Sequence, residues 1–181
     1  MILSLRRKVR LPADGALLVG PYVTGCAVRA TAPSGRGESA PTGALGDGTG
    51  ENRSTPVRVS GLTNIKSVAS FGNSAYALAA DGSVWAWGLN DYGELGNGTE
   101  QKALRPVRVH LHGAVAISSG YHAAYALKDD GTVLAWGAGP NGELGNGTRT
   151  TKNPLPLPVS TLTGVTAIAG GLGSAFALTA P

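Results

Sequence analysis

The stretch DGSVWAWGLNDYGELGNGT at residues 81–99 returns at residues 130–148 as DGTVLAWGAGPNGELGNGT, with every aligned position 49 residues later. A partial third copy, ALGDGT, stands earlier in the chain at residues 44–49. Recurrence at a period of roughly 20–50 residues is the signature of proteins that stack small structural units. The sequence therefore predicts a repeat protein, with units near 44–93, 94–142 and 143–181.

The third unit is shorter than the other two. SAFALT at residues 174–179 corresponds to SAYALA at residues 74–79, but no tryptophan-bearing stretch follows it. Leu178 lies 51 residues after Leu127 rather than 49, and the two extra residues fall in KNPLPLP at residues 152–158. One small loop insertion accounts for this change of spacing.

Each complete unit contains four short segments with the features of β-strands. They are PVRV at 56–59 and 106–109, IKSVAS at 65–70 with AVAISS at 114–119, SAYALAA at 74–80, and SVWAWG at 83–88. The Asp81-Gly82 pair between the last two segments favours a hairpin turn. The fourth segment is apolar on both faces, because Val84 and Ala86 alternate with Trp85 and Trp87. A sheet with one face in water would show polar residues on that face, so this strand is predicted to lie between two other sheets.

Four-stranded sheets repeated every 40–50 residues or so and stacked face to face are blades of a β-propeller. The predicted fold class is all-β, as a partial, open β-propeller of four-stranded antiparallel blades. The three tryptophans are expected to pack between blades. The ELGNGT loop is interpreted as the link from one blade to the next, with glycines at positive φ, a buried leucine and a threonine that bonds locally.

Charge and composition exclude several functional classes. The formal net charge of +4 arises in residues 1–40, and the remaining residues have no net charge. Nucleic-acid binding needs a clustered basic face, so no nucleic-acid partner is predicted. Residues 1–43 are predicted to be an irregular segment, either disordered or a damaged start of the reading frame. No signal peptide or membrane span is recognised, which predicts no membrane partner and a cytoplasmic location, or secretion if the true start lies upstream.

No constellation of catalytic or cofactor-binding residues is found in the sequence. The ELGNGT loop lacks the following Lys-Ser/Thr of a phosphate-binding loop. Cys26 is the only cysteine, and His110 with His112 has no third ligand nearby, whereas metal sites usually need three or four. The sequence therefore predicts no enzyme activity, no metal and no cofactor.

The repeated residues resemble the unit of the regulator-of-chromosome-condensation family, whose pattern is G-x-x-H-x-x-A-L, D-G-x-V-x-x-W-G-x-N-x-x-G-x-L-G-x-G-T and P-x-x-V in order. In the second copy the matched positions are Gly120, His122, Ala126, Leu127, Asp130, Gly131, Val133, Trp136, Gly137, Asn141, Gly142, Leu144, Gly145, Gly147 and Thr148. The histidine of the pattern is replaced by Asn73 and Gly173 in the other copies.

The resemblance implies a closed ring of seven blades, of which this chain holds about two and a half. We therefore expect a fragment of a larger ring, a truncated reading frame or one arm of an assembly. The Ala-, Gly- and Val-rich composition suits a bacterial source. Open blade faces would also favour self-association.

Propeller function lies in the loops rather than in the blades. The predicted function is a non-catalytic protein–protein interaction module with contact residues Asn90, Asp91, Tyr92 and Asn141 in the loops after each Trp-Gly. Tyr92 is the strongest candidate because aromatics on rigid loops make good interface anchors. The resemblance implies one alternative, guanine-nucleotide exchange on a small GTPase, as the eukaryotic namesake performs for Ran. Another alternative is a secreted inhibitor similar to a bacterial β-lactamase inhibitory protein.

Overall fold

The structure is a computed structural model that describes residues 42–51, 57, 59 and 61–180. These residues form ten β-strands and no helix. The strands are β1 (Ile65–Phe71), β2 (Ser74–Ala79), β3 (Val84–Gly88), β4 (Ala103–Arg108), β5 (Ala114–Ser119), β6 (Ala123–Lys128), β7 (Val133–Gly137), β8 (Leu157–Pro158), β9 (Val165–Gly170) and β10 (Ala175–Thr179). The predicted irregular segment lies almost wholly outside the described residues, as do Pro56 and Arg58 of the first PVRV segment.

The strands form three antiparallel sheets in chain order. The first sheet has the order β1-β2-β3-β4, the second β5-β6-β7-β8, and the third pairs β9 with β10. The registers of the first two sheets match, because Ala75 lies opposite Trp87 and Ala124 lies opposite Trp136. The prediction of an open, partial propeller built from four-stranded antiparallel blades is confirmed.

The interpretation of ELGNGT as a link between blades is wrong. Residues 94–99 lie between β3 and β4, which pair with each other in the first sheet. The second copy lies in the same way between β7 and β8. The chain instead passes from the first sheet to the second through residues 109–113, so each ELGNGT loop is internal to one blade.

The inner strands are buried on both faces, as the alternation of apolar residues predicts. One face of the first sheet, with Val84 and Ala86, packs in a core cluster with Trp136 of the second sheet. The opposite face, with Trp87 and partly buried Trp85, packs in a different cluster on the other side of the sheet. Of the three tryptophans expected to pack between blades, Trp136 packs between the first and second sheets, whereas Trp85 and Trp87 lie in the cluster on the other face of the first sheet. The side chains of Trp87 and Trp136 are fully buried, and that of Trp85 is partly buried.

Antiparallel connectivity divides the loops between two ends of the sheets. The first-to-second and third-to-fourth connections of each sheet lie at one end, which we call the long-loop end. It comprises residues 72–73, 89–102, 120–122, 138–156 and 171–174. The opposite end, which we call the hairpin end, carries the tight Asp-Gly turns at Asp81 and Asp130.

Candidate protein-binding surface

Four ring side chains lie together at the long-loop end, and we call them the aromatic cluster: Phe71, Tyr92, Tyr121 and His122. The imidazole of His122 lies between two tyrosines, with ring centroids 4.4 Å from Tyr92 and 4.1 Å from Tyr121. Phe71 meets Tyr121 edge to face with centroids 6.2 Å apart. The cluster therefore joins loops of the first and second sheets into one surface.

The aromatic cluster is tied to the core by the buried residue Glu94. Its side chain is held by two contacts: Oε2 accepts a hydrogen bond from the backbone N–H of Tyr92 at 2.8 Å, and Oε1 lies 3.0 Å from Nδ1 of His122. Its carbonyl oxygen accepts hydrogen bonds from the Tyr76 hydroxyl at 2.8 Å and the Trp136 indole at 2.7 Å. Because Glu94 is only 1% exposed, these bonds fix the cluster relative to both sheets.

The long loops of the two sheets also bond to each other. The N–H of Gly98 donates to the carbonyl of Pro154 at 2.9 Å, and the N–H of Asn153 donates to the carbonyl of Tyr92 at 3.3 Å. An exposed ion pair between Lys152 and Glu100 lies beside them. These contacts hold the backbone that carries Tyr92, so its side chain projects from a supported loop.

A cleft of about 320 Å³ adjoins the aromatic cluster. Its lining includes the rings of Tyr92, Tyr121 and His122, together with Pro140, Glu143 and Leu172. Tyr121 is 51% exposed and Leu172 is 73% exposed. A surface of aromatic and apolar groups with a few polar atoms is suited to burying a protein side chain.

The structure separates the four predicted contact residues. Tyr92, which is 36% exposed, and Asn141 both line the cleft, and Asp91 is exposed on the same loop as Tyr92. Asn90 is fully buried, and its side-chain amide donates to the carbonyls of Thr99 and Gln101. Because no partner can reach it, Asn90 is not part of the candidate surface.

The alignment of Asn141 with the asparagine of the family pattern is also wrong. The residue 49 positions after Asn90 is Gly139, and Asn141 instead corresponds to Tyr92. Asn90 accepts a hydrogen bond from the Leu95 N–H, whereas Asn141 bonds to Glu143 at the surface. At Gly139 the loop is held by its backbone, whose N–H donates to the carbonyl of Thr150.

Sequence reasoning missed Tyr121 and Phe71. Phe71 ends β1 and Tyr121 lies in the short β5–β6 connection, away from the loop that follows Trp-Gly. A signal was nevertheless present, because Tyr121 directly precedes His122 in the short connection between two predicted strands. Two neighbouring ring residues in a short connection between strands must place at least one ring at the surface.

Burial and charge act on the two tyrosines that bond to the loop carbonyls. Burial, and then the nearby Glu94 carboxylate, raises the pKa of Tyr76 far above its ordinary value. Burial, and then Glu143, raises the pKa of Tyr125 to about 12. Both hydroxyls therefore stay protonated at neutral pH and remain donors to the backbone carbonyls of Glu94 and Glu143.

Within residues 42–51, 57, 59 and 61–180, no group of three or more metal-ligating side chains occurs. The same residues contain no helix of the length and apolarity that crossing a membrane requires.

Stacked four-stranded sheets with an ordered long-loop end define this chain as a protein of the β-propeller repeat class. The profile described as "Regulator of chromosome condensation (RCC1) repeat" matches residues 81–127 and 130–178. A second profile with the same description matches residues 62–94 and 114–143. Since the first profile alone covers more than half of the chain, the chain belongs to the regulator of chromosome condensation repeat family.

Similar proteins share only part of their length with this chain. The human regulator of chromosome condensation is 40% identical over 68 residues, which is 37% of this chain and 16% of that protein. The Xenopus laevis regulator is 37% identical over 81 residues, 40% of this chain and 19% of that protein. The human E3 ubiquitin-protein ligase HERC2 is 40% identical over 68 residues, which is 35% of this chain and 1% of that protein.

Two solved structures agree with the fold. Human WBSCR16 superposes with a TM-score of 0.67 at 27% identity, over 75% of this chain and 38% of that one. Prp20p from Saccharomyces cerevisiae, described with its binding properties to Gsp1p and histones, gives a TM-score of 0.68 at 19% identity, over 79% and 39%. The chain thus covers about two fifths of the length of each of these structures.

Proposed function

We propose that this chain is a non-catalytic protein-interaction module that binds a protein partner through its long-loop end. The proposed surface comprises the aromatic cluster together with Asp91, Asn141 and the adjoining cleft. The observation that carries the proposal is the pair of exposed tyrosines, Tyr92 and Tyr121, held on either side of His122. Tyrosine is enriched among the residues that dominate binding energy at interfaces, and here both rings already pack against the His122 ring.

Protein binding by related propellers supports the same conclusion. Prp20p is described with binding properties to Gsp1p and histones, and another structure is described as Kap60 bound to yeast RCC1. The described residues offer no catalytic constellation at the long-loop end. The rings of His122 and both neighbouring tyrosines serve to fill and shape the surface instead.

The experiment compares the intact chain with surface variants. Partners are captured from a lysate of the source cells, and the affinity of each purified partner is then measured by calorimetry. Tyr92→Ala and Tyr121→Ala should each weaken binding by about tenfold or more, the effect of losing an aromatic anchor. Val68→Ala is the matched control, because Val68 is an exposed apolar residue at 49% on β1 rather than at the long-loop end.

A partner whose affinity is unchanged in both tyrosine variants would contradict this surface. Circular dichroism and thermal unfolding of each variant establish that the fold persists. Equal loss of binding in Val68→Ala would point to a general effect on folding and would likewise count against the long-loop end.

Guanine-nucleotide exchange on a small GTPase is the second candidate function. It is favoured by the 40% identity between part of this chain and the human regulator of chromosome condensation. The test is release of a labelled nucleotide from a panel of small GTPases. Accelerated release would support exchange activity, and a flat response across the panel would exclude it for that panel.

The inhibitor alternative needs aromatic contact residues on one face of the propeller. Trp87 and Trp136 are fully buried and are unavailable for that role. If an inhibitor surface exists, it uses Tyr92 and Tyr121, and the same two variants would test it against a panel of secreted hydrolases.

A further inference from the structure

The cleft beside the aromatic cluster carries a single carboxylate. Among the described residues that line it, Glu143 is the only acidic side chain, and no lysine or arginine is present. Burial acts to raise the pKa of Glu143, but hydrogen bonds from its own backbone N–H and from Asn141 outweigh burial and lower the pKa below its ordinary value. The carboxylate is therefore ionised at neutral pH, and the cleft presents a negative charge.

The Glu143 carboxylate is oriented by a neighbour and keeps capacity for a further donor. Its Oε2 accepts a hydrogen bond from the backbone N–H of Asn141 at 2.8 Å, and its Oε1 accepts one from the Asn141 side-chain amide at 3.0 Å. A carboxylate offers about four acceptor sites, two on each oxygen. Asn141 therefore fixes the carboxylate in place and leaves room on it for a donor from another molecule.

The equivalent glutamate of the first sheet shows which kind of group suits this position. Glu94 stands 49 residues before Glu143, and its Oε1 lies 3.0 Å from Nδ1 of His122. Between the second and third sheets Gly173 takes the position of His122, and Gly173 lines the cleft. Because glycine has no side chain to donate, the space beside Glu143 is open to a nitrogen donor from a partner.

Aromatic rings line the same cleft. Tyr92, Tyr121 and His122 all contribute to its lining, and their rings contact one another. The face of an aromatic ring attracts a cation within roughly 6 Å of its centroid, and a planar guanidinium also stacks on such a face. The volume of about 320 Å³ is at the lower end of the roughly 300–1,000 Å³ typical of binding pockets, which suits one side chain.

We infer that this cleft is a binding site for an arginine side chain of the protein partner. The guanidinium lies against the ring of Tyr92 or Tyr121 and donates hydrogen bonds to the Glu143 carboxylate. Arginine is assigned rather than lysine because its planar fork of five donors can stack on a ring and pair with a carboxylate at the same time. The inference rests on the proposed function, because it names the residue that a partner places at the long-loop end.

The probe is a capped tripeptide, Gly-Arg-Gly, added to the isotopically labelled full chain and followed by nuclear magnetic resonance. We expect saturable shifts of the amides of Asn141, Glu143 and Gly173. The control peptide carries citrulline, which keeps the planar shape but replaces the guanidinium with a neutral urea group. It should bind roughly tenfold more weakly, the effect of losing hydrogen bonds between charged groups. Absence of binding by the arginine peptide, or equal binding by the citrulline peptide or a lysine peptide, would overturn the inference.

Two matched variants test the carboxylate itself. Glu143→Gln removes the charge and keeps the shape of the side chain, so it should weaken binding of the arginine peptide roughly tenfold. Glu100→Gln is the control, because Glu100 is an exposed glutamate at the same end that pairs with Lys152 and does not line the cleft. An unchanged unfolding midpoint establishes that each variant is folded. Equal affinities of the two variants for the arginine peptide would overturn the inference.

The arginine site and the proposed function can fail separately when the captured partner is also measured with Glu143→Gln. A partner that is weakened by Tyr92→Ala and unaffected by Glu143→Gln would leave the long-loop surface standing and overturn the arginine site. Binding of the arginine peptide that depends on Glu143, with no partner that depends on Tyr92 or Tyr121, would support the arginine site and contradict the proposed function.

Discussion

The contact between the first and second sheets and the contact between the second and third sheets are built from one repeat but are filled differently. At the first contact Trp136 is fully buried and packs with Tyr76, Leu95 and Val109 in one cluster. At the second contact no tryptophan of the described residues is present, and the core divides into two smaller clusters beside a cleft of about 450 Å³. The contact between two four-stranded sheets therefore has a continuous core that includes Trp136, whereas the contact with the two-stranded third sheet does not.

The difference extends to the second strand of each sheet, counted along the chain. The tyrosines of β2 and β6, Tyr76 and Tyr125, are 2% and 4% exposed, whereas the equivalent Phe176 of β10 is 67% exposed. Tyr76 and Tyr125 pack toward the following sheet, and each hydroxyl donates to a backbone carbonyl in the long loop of its own sheet, that of Glu94 or Glu143. Stability is therefore expected to decrease from the first contact to the last, because each sheet depends on its neighbour to bury its apolar face.

The largest expected effect comes from removing the side chain that distinguishes the two contacts. Trp136→Ala should lower the free energy of unfolding by about 3–5 kcal/mol, the usual cost of truncating a buried large aromatic. The loss includes a cavity and the hydrogen bond to the Glu94 carbonyl. Urea denaturation followed by circular dichroism measures it.

The aromatic control for this variant is Phe176→Ala in the third sheet. Because Phe176 is mostly exposed, its replacement should change stability by no more than about 0.5 kcal/mol. Equal losses in the two variants would show that the two contacts do not differ in their packing.

A second comparison adds a methyl group to equivalent glycines. Gly96→Ala would bring a Cβ within 2.8 Å of both Trp136 and Val109, whereas Gly145→Ala meets only Val159 at 3.0 Å. Both variants carry the strain of alanine at positive φ, so their difference isolates the crowding of the ring. We expect Gly96→Ala to be less stable than Gly145→Ala by about 1–3 kcal/mol, as overpacked cores are. Equal unfolding midpoints would contradict the close approach of the Trp136 ring to Gly96.

A third comparison uses the glutamates that open the two complete loops. Glu94→Ala leaves the partly buried Tyr92 N–H without its acceptor and removes the contact to His122, at an expected cost of about 1–3 kcal/mol. Glu143→Ala removes solvent-exposed hydrogen bonds with Asn141 and should cost less than Glu94→Ala. Thermal unfolding of both variants gives the order, and a larger loss for Glu143→Ala would contradict it.

The sequence predicted the layers of this fold well because the evidence for them is local and repeated. Alternation of Val84 and Ala86 with Trp85 and Trp87 indicates burial on two faces, and the Asp-Gly turns mark the hairpins. Where one blade ends and the next begins could not be obtained from the period alone, because a periodic chain can be divided at any point. Only strand pairing shows that the loop of residues 94–99 connects two strands of the same sheet.

The candidate surface was predicted in part for a related reason. Tyr92 was found because it lies in a loop between strands that the sequence identifies. Asn90, two residues earlier, is buried by hydrogen bonds to Thr99 and Gln101, and the sequence gives no indication of which loop residue turns inward. Tyr121 joins the surface through His122, whose partner Glu94 lies in another sheet, and such a contact between sheets has no local pattern.

The smallest effect is expected at the hairpin end, where the first two sheets should behave alike. Asp81 and Asp130 each accept hydrogen bonds from the residue two positions later, Ser83 and Thr132. These bonds lower the pKa of Asp81 and, with Lys128 also contributing, lower that of Asp130 to about 2. A carboxyl whose pKa is lower in the folded state stabilises the fold above its unfolded pKa of about 4, and that contribution is lost as the pH falls toward 2.

Asp130→Asn should therefore flatten the decline in stability between about pH 4 and pH 2. Asp81→Asn should have the same effect to a similar or smaller degree. Urea denaturation at each pH measures both variants. A slope unchanged by either substitution would exclude the turn carboxylates as a source of acid sensitivity, and a much larger effect at Asp81 would break the equivalence of the two hairpins.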